Sequence, residues 1–301
     1  MLIYLDCDTG IDDSVALALL LSLPSVTLAG VGTVNGNTTA GQAAINSLGL
    51  LSLAGAAVPV AVGGGPFVGE ASLVHGANGV GDAVLPSGRS PIADDAPALL
   101  SALAAQHPGE LHVLAIGPCS NVAAALRRDR DLAGRVASVT VMGGAVRVPG
   151  NMNGRAEFNI AADPVAAAEV FAAGWPVTLV PLDLTMRQIW PWSAVAALRE
   201  NGRPLPEALS RILPAYYDFY VAEAGGAAAR SIAREIPLHD PTAAAITAGL
   251  IAPADAPVLG LRVDPTDGAI VEDDTAPDRI HVVFDVDRPA GPAILNAILS
   301  A

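Results

Sequence analysis

The chain has 301 residues, 52% hydrophobic and 15% charged, with a formal net charge of −14 at pH 7. This composition supplies a large core and excludes disorder as its main state, and so acidic a surface, without a basic run, excludes a nucleic-acid backbone as partner. All sixteen basic residues are arginines, so chemistry that needs a catalytic lysine is excluded too.

From the N-terminus, residues 2–5 predict a strand and 12–23 a helix, with Asp6, Asp8, Asp12 and Asp13 crowded into eight positions around the junction. Residues 26–33 predict a strand, and 39–54 a helix with Thr38 or Thr39 as N-cap. A strand at 58–62 precedes the Gly- and Pro-rich stretch 63–95, which has no clear period. Then come a helix at 96–106, a strand at 111–116, a helix at 120–128 after the turn GPCSN, and a strand at 136–142. A second irregular stretch covers 143–159. Residues 164–173 predict a helix capped by Asp163 with Pro164 in its first turn, and 177–182 a strand. The segment 192–248 is mainly helical, and the tail holds strands at 258–263 and 280–286 before a final helix.

Alternating strands and helices imply an α/β fold, an open, mostly parallel, Rossmann-like sheet with helices on both faces and right-handed crossovers. No internal repeat or linker divides the chain, so one domain spanning 1–301 is expected. The apolar run 15–23 is too short to cross a bilayer, residues 1–5 hold no basic n-region of a signal peptide, and the only cysteines are Cys7 and Cys119. A soluble cytoplasmic protein with no membrane partner is therefore expected. In such sheets ligands bind beyond the carboxyl ends of the strands. The polar residues found there are Asp6 and Asp8, VNGN at 34–37, PCSN at 118–121 and GNMNGRAEFN at 150–159.

Asp6 and Asp8, two apart in an extended segment, face one side while Cys7 faces the other. Asp12 and Asp13 open a helix, where a carboxylate is favoured by roughly 0.3–1 kcal/mol. Capping accounts for one or two of the four. Two carboxylates about 5 Å apart repel by roughly 3 kcal/mol at an effective dielectric near 20, so four need dispersal into water, protonation or a cation among them. Oxygen ligands suit a hard ion, Ca²⁺ or Mg²⁺, and no Cys/His cluster has zinc spacing. An EF-hand is excluded because the twelfth position counted from Asp6 is Leu17 rather than Glu.

Asp6-Cys7-Asp8-Thr9 after a strand resembles the signature of haloacid-dehalogenase-type phosphatases. Those use the first Asp as nucleophile, a Mg²⁺ and usually a lysine, which is absent here, and Asp12 and Asp13 stay unexplained. LDCDTGIDDSVAL at 5–17 resembles instead the DxDPGxDDA motif of the nucleoside hydrolases, the inosine–uridine-preferring family, with Thr9 for the usual Pro and Ser14 for the usual Ala. VNGN at 34–37, HGANGVGD at 75–82, IGPCSNVAAAL at 116–126, VMGGAVRVPGN at 141–151, AEFNIAADPVAA at 156–167 and LHDPTAAA at 238–245 resemble later segments of that family, in family order.

The resemblance implies Ca²⁺-dependent hydrolysis of the N-glycosidic bond of a free nucleoside to base and ribose, by a homodimer or homotetramer. It implies Asp8, Asp13, Asp240 and the Ser120 carbonyl as metal ligands, Ser standing where the family usually has Thr, and Asp8 as general base. Asp12, Asn37 and Asn159 would meet ribose hydroxyls, Asn151 and Glu157 the 5′ end, and Asp6 would orient its neighbours. Carboxylates suit the oxocarbenium-like departure of ribose, and an ion that holds water and the ribose diol acts mostly by positioning. His239, beside Asp240, is the implied source of a proton or hydrogen bond for the leaving base. His75 lies in a glycine-rich loop able to close over substrate. Phe158, Tyr216, Tyr217, Phe219, Tyr220 and Trp190 are candidates to stack on the base, Phe158 and one of the tyrosines before the rest because aromatics at helical spacing are mostly core. Arg230 and Arg234 either approach the site or cover the surface. The helical region near 216–234 would line the site and set base preference. His107, His112 and His281 match nothing and are expected to be structural or surface residues. A phosphatase and a non-catalytic Ca²⁺-dependent sugar-binding module stay open as alternatives.

Overall fold

The computed structural model describes residues 1–66, 72–88, 95–223, 234–276 and 279–301. In chain order the strands are β1 (Leu2–Cys7), β2 (Thr27–Thr33), β3 (Val60–Val62), β4 (Leu111–Ala115), β5 (Val136–Met142), β6 (Val177–Val180), β7 (Ile189–Pro191), β8 (Glu235–Pro237), β9 (Pro253–Asp255), β10 (Val258–Val263), β11 (Ile270–Glu272), β12 (Arg279–Val282) and β13 (Asp285–Val286). Among the described residues, nine strands share one sheet in the order β11-β10-β12-β6-β5-β4-β1-β2-β3. The run from β3 to β12 is parallel throughout. β10 is antiparallel to both β12 and β11, and β13–β9 and β7–β8 form separate antiparallel ribbons. This is the expected mostly parallel α/β sheet.

The alternation within β1 divides its side chains between two cores. Ile3, Leu5 and Cys7 pack into one, and Tyr4 joins Leu111, Val113 and Ala115 in the other. The helices Ala96–Gln106, Ser120–Arg128 and Pro164–Phe171 cover the Tyr4 face. The helices Ile11–Ser22, Pro204–Glu223, His239–Thr247 and Ala290–Ser300 cover the opposite face. Ile11–Ser22 touches the other three and is buried from Ile11 through Leu20. A helix apolar on every side belongs in the interior, and here it carries Asp12 and Asp13 inside with it.

β1 extends through Cys7, so Asp6 is a paired strand residue opposite Gly32 and Ala115. Thr39 is the cap of Ala40–Leu53, accepting from Gln42 N at 3.2 Å. The irregular stretch 63–95 contains a short helix, Ser72–His75. The stretch 143–159 ends inside the helix Phe158–Ala162, capped by Glu157, so Asn159 is helical. Asp163 caps Pro164–Phe171 as its sequence predicts. β6 stops at Val180, and Leu182–Thr185 forms a helical turn. The expected tail strand at 280–286 is split into β12 and β13. No helix among the described residues is long and apolar enough to cross a membrane.

From β1 the chain moves outward to β2 and β3, then returns to β4 on the other side of β1. That reversal opens a crevice beyond the carboxyl ends of β1 and β4.

Candidate active site

Past β1 the chain turns through Asp8, Thr9 and Gly10 into the helix Ile11–Ser22. Asp13 closes the turn: its Oδ2 accepts from Gly10 N (2.8 Å) and its Oδ1 from Asp8 N (3.2 Å). Asn37 donates its backbone N–H to Asp8 Oδ2 (2.6 Å) and its Nδ2 to Asp13 Oδ2 (3.0 Å). Gly36 before it is required, since a Cβ there would collide with the Asp8 carboxylate. Asp240 enters from the first turn of His239–Thr247. Carboxylate oxygens of Asp12, Asp13 and Asp240 all lie within 4.8 Å of one another.

These groups are buried, and no arginine is among the described residues lining the cleft above them. Burial, then the neighbouring carboxylates, holds Asp8 and Asp240 well above the usual carboxylate range and pushes Asp12 up to about 7. Burial also raises Asp13, against the hydrogen bonds that favour its charge. Asp6, behind the turn, rises to about 7 by burial although Asn121 and Tyr4 hydrogen-bond it. Asp8 Oδ1, Asp12 Oδ1 and Asp6 Oδ2 are buried without a hydrogen-bond partner among the described residues. The converging carboxylate oxygens of Asp12, Asp13 and Asp240, with the Asp8 backbone N–H bonded to Asp13 and Asp8 Oδ1 unpartnered among the described residues, form a donor set suited to a hard divalent cation. The residues therefore fit a metal of that class.

A cleft of about 520 Å³ opens over the cluster. Asp12, Asp240, Asn37, Asn151, Glu157 and Asn159 supply its polar lining, and Val74, Met152, Phe158, Met186, Tyr216 and Phe219 much of its apolar wall. Asp8 and Asp13, both buried, are not part of that lining. Glu157 accepts from Gly144 N (2.9 Å), Asn159 N (3.0 Å) and Ile160 N (3.2 Å). Asn159 Nδ2 donates to Ile116 O (2.9 Å) and Met142 O (3.2 Å), which ties the cleft to the ends of β4 and β5. Asn151 Oδ1 accepts from Phe158 N at 3.0 Å. Ser120 is not in the lining, and its hydroxyl donates to Asp163 Oδ2 at 2.6 Å.

Two histidines face the cleft with Tyr220. His75 Nδ1 accepts the backbone N–H of Ile11 at 3.0 Å, so its ring hydrogen sits on Nε2. His239 Nδ1 lies 2.8 Å from Thr185 Oγ1 and its Nε2 3.3 Å from the Tyr220 hydroxyl. Burial first, then His239, lowers His75 to about 3, and burial lowers His239 to about 4. Both imidazoles are neutral near pH 7.

Of the six aromatic candidates, Phe158, Tyr216, Phe219 and Tyr220 line the cleft. Tyr217 donates to Trp190 O (3.0 Å) and Pro191 O (2.8 Å), and Trp190 donates to Gly291 O (2.7 Å), so both belong to the core. Arg234 pairs with Asp218 and lies 4.1 Å over the Trp192 ring, while Arg230 lies outside the described residues. His112 bonds Ser138 (2.8 Å) and His281 is exposed, both away from the cleft. Thr185, Met152 and Met186 carry no signal in the sequence. Asn121, read only as part of PCSN, joins Asp6 Oδ1 (3.0 Å), Thr33 O (3.0 Å) and Gly64 N (3.1 Å).

The family model described as inosine-uridine preferring nucleoside hydrolase matches residues 3–291. A probable uridine nucleosidase 1 of Oryza sativa subsp. japonica is 36% identical over 246 residues, covering 79% of this chain and 74% of that protein. A pyrimidine-specific ribonucleoside hydrolase RihA of Enterobacter sp. strain 638 is 34% identical, covering 79% and 76%. Among solved structures, a purine-preferring ribonucleoside hydrolase from Gardnerella vaginalis superposes with a TM-score of 0.89 at 27% identity, covering 99% of this chain and 97% of that one.

Proposed function

Since the chain belongs to the inosine-uridine preferring nucleoside hydrolase family, and is by that membership an N-ribosyl hydrolase, we propose that it is a Ca²⁺-dependent nucleosidase with Asp8 as general base. The observation that carries this reading is the buried carboxylate group in which Asp8 Oδ1 and Asp12 Oδ1 have no partner among the described residues. Asp8, Asp13, Asp240 and the Ser120 carbonyl would hold the ion. The Ser120 hydroxyl donates to Asp163, so the carbonyl and not the hydroxyl is the proposed ligand. When bound, the ion supplies charge against the carboxylates and a template for water and the ribose diol.

The protein groups then divide the reaction. Asp8 takes a proton from the attacking water as the water oxygen bonds to C1′. The C1′–N bond breaks and its electron pair passes to the base. Asp8, Asp12 and Asp240 stabilise the positive charge that develops on the ribose. Asp12, Asn37 and Asn159 hold ribose hydroxyls, and Asn151 and Glu157 the 5′ end. Phe158, Tyr216 and Phe219 wall the base. His75, His239 and Tyr220 meet the negative charge left on it. Because both imidazoles are held neutral, His75 directly and His239 through Tyr220 supply hydrogen bonds rather than a stored proton, and the proton taken by Asp8 reaches the base through solvent. The relatives named for uridine and pyrimidine substrates, at 36% and 34% identity, support uridine as the first substrate.

The test is incubation with uridine, cytidine, inosine, adenosine and a generic phosphate ester, with and without a strong Ca²⁺ chelator. Reducing sugar released in proportion to bound metal is the expected result. Phosphate release would mean a phosphatase, and binding without turnover a sugar-binding module.

A further inference from the structure

Thr185 ends the helical turn Leu182–Thr185 and is fully buried. Its hydroxyl has one partner among the described residues, His239 Nδ1 at 2.8 Å. On the other side of the ring, Nε2 lies 3.3 Å from the Tyr220 hydroxyl. Tyr220 lines the cleft and packs edge-on against Tyr216 and Phe219, with ring centroids 5.0 and 5.4 Å away.

The ring can carry a hydrogen on Nδ1, alone or together with Nε2, or on Nε2 only, and these have opposite consequences for its two partners. With a hydrogen on Nδ1, Thr185 must accept, and its own hydroxyl hydrogen is stranded in a buried site with no other acceptor among the described residues. Nε2 is then bare, so the Tyr220 hydroxyl donates backward and shows the cleft only lone pairs. With the hydrogen on Nε2, Thr185 donates to Nδ1 and Nε2 donates to the Tyr220 oxygen. The Tyr220 hydrogen is then free to point into the cleft. Thr185 and both ring nitrogens are then satisfied, only the Tyr220 hydrogen is left for a ligand in the cleft, and each bond polarises the next.

We propose that Thr185 is a positioning residue that fixes the direction of the chain Thr185–His239–Tyr220, so that the cleft meets the leaving base with a hydrogen-bond donor. This rests on the nucleosidase reading, in which the base departs with negative charge. His75 acts in the same sense by a separate route, since the Ile11 N–H holds its hydrogen on Nε2. A reversed chain would set an acceptor against the departing base and oppose the reaction.

Two measurements test this on the full chain. Long-range proton–nitrogen correlation spectra of ¹⁵N-labelled protein report which nitrogen of each histidine carries hydrogen, and His239 is expected in the Nε2–H form. In kinetics, Thr185→Val is expected to lower uridine turnover ~10–100-fold. It should leave hydrolysis of 4-nitrophenyl β-D-ribofuranoside within about twofold, because that phenolate departs without a donor. Thr185→Ser keeps the hydroxyl and should stay near wild type on both. The proposal is overturned by an Nδ1–H His239 in the wild-type spectrum, by uridine turnover unchanged in Thr185→Val, or by parallel loss on both substrates. If Thr185→Val does not fold, the wild-type spectrum and Thr185→Ser still decide. Wild type that releases ribose from no nucleoside would overturn the nucleosidase reading instead, and the spectrum would still report the tautomer.

Discussion

Replacing one carboxylate of the cluster should make the metal-free protein more stable. In Asp12→Asn the lost charge has oxygens of Asp13 and Asp240 within 4.8 Å, and each such ionised pair repels by roughly 3–4 kcal/mol at an effective dielectric near 20. Linkage gives the same scale. Asp12 is raised from 3.8 to about 7, so keeping it ionised at pH 8 costs about 4 kcal/mol of folding free energy. The folded state binds this proton more tightly than the unfolded state. Stability is therefore fully present below about pH 4 and is lost as pH rises toward the folded value near 7. Asp12→Asn has nothing to titrate, so its advantage is about 4 kcal/mol at pH 8 and near zero at pH 4. With an unfolding entropy of about 2.1 cal/mol/K per residue, this corresponds to a Tm higher by about 6 °C for a chain of this length. Circular-dichroism melts in excess chelator at both pH values read it directly. A variant that melts no higher than wild type at pH 8, or one with equal advantage at both pH values, would refute the reasoning.

Asp8→Asn should keep its circular-dichroism spectrum and lose ~10²–10⁴-fold in nucleoside turnover; near-normal turnover removes Asp8 as the base. Adding Ca²⁺ back to chelator-treated protein should raise Tm and turnover together, and metal analysis that finds zinc or no metal counts against the ligand set. Glu157 accepts three backbone N–H groups, whereas glutamine has a single acceptor oxygen, so Glu157→Gln should cost about 2 kcal/mol in urea unfolding; an unchanged midpoint contradicts this capping role. Tyr217→Phe loses bonds to Trp190 O and Pro191 O and should cost about 1 kcal/mol with turnover unchanged; reduced turnover at constant Tm would move Tyr217 into the site.

The parallel sheet was legible because β1, β2, β4 and β5 are short, mostly apolar runs that alternate with helices. The ribbons were not, because β7, β8, β9 and β13 have only two or three residues each and several carry proline, too short for any period to register. Polar residues at a strand's carboxyl end read as a turn, which is why β1 ended too early and Asp6 fell outside it. The aspartates stood out because four charges in eight positions have no ordinary structural reason. The tyrosines needed the helix period used more strictly. Tyr216, Phe219 and Tyr220 stand three and four apart on one face, the cleft face, and Tyr217 turns away toward Trp190. Thr185 was invisible because its role depends on a histidine 54 positions away.

The two departures from the family's usual motif acquire a purpose in this frame. Thr9 Oγ1 lies 2.7 Å from Ser47 Oγ and 3.2 Å from Cys7 Sγ, and Ser14 Oγ donates to Gly10 O at 2.6 Å. Asn46 Nδ2 donates to Thr9 O (3.0 Å) and Asn78 O (2.8 Å), which joins the aspartate turn to the loop that follows His75. A turn that displays mutually repelling carboxylates relaxes by splaying unless its surroundings over-determine it. Here hydroxyls, amides and backbone N–H groups do that work, all of them neutral. The arginines pair elsewhere: among the described residues, none of the eight ion pairs involves Asp8, Asp12, Asp13 or Asp240. Neutral bracing fixes the carboxylates without cancelling their charge. An arginine among them would give a more stable apo protein and occupy the place a divalent cation needs.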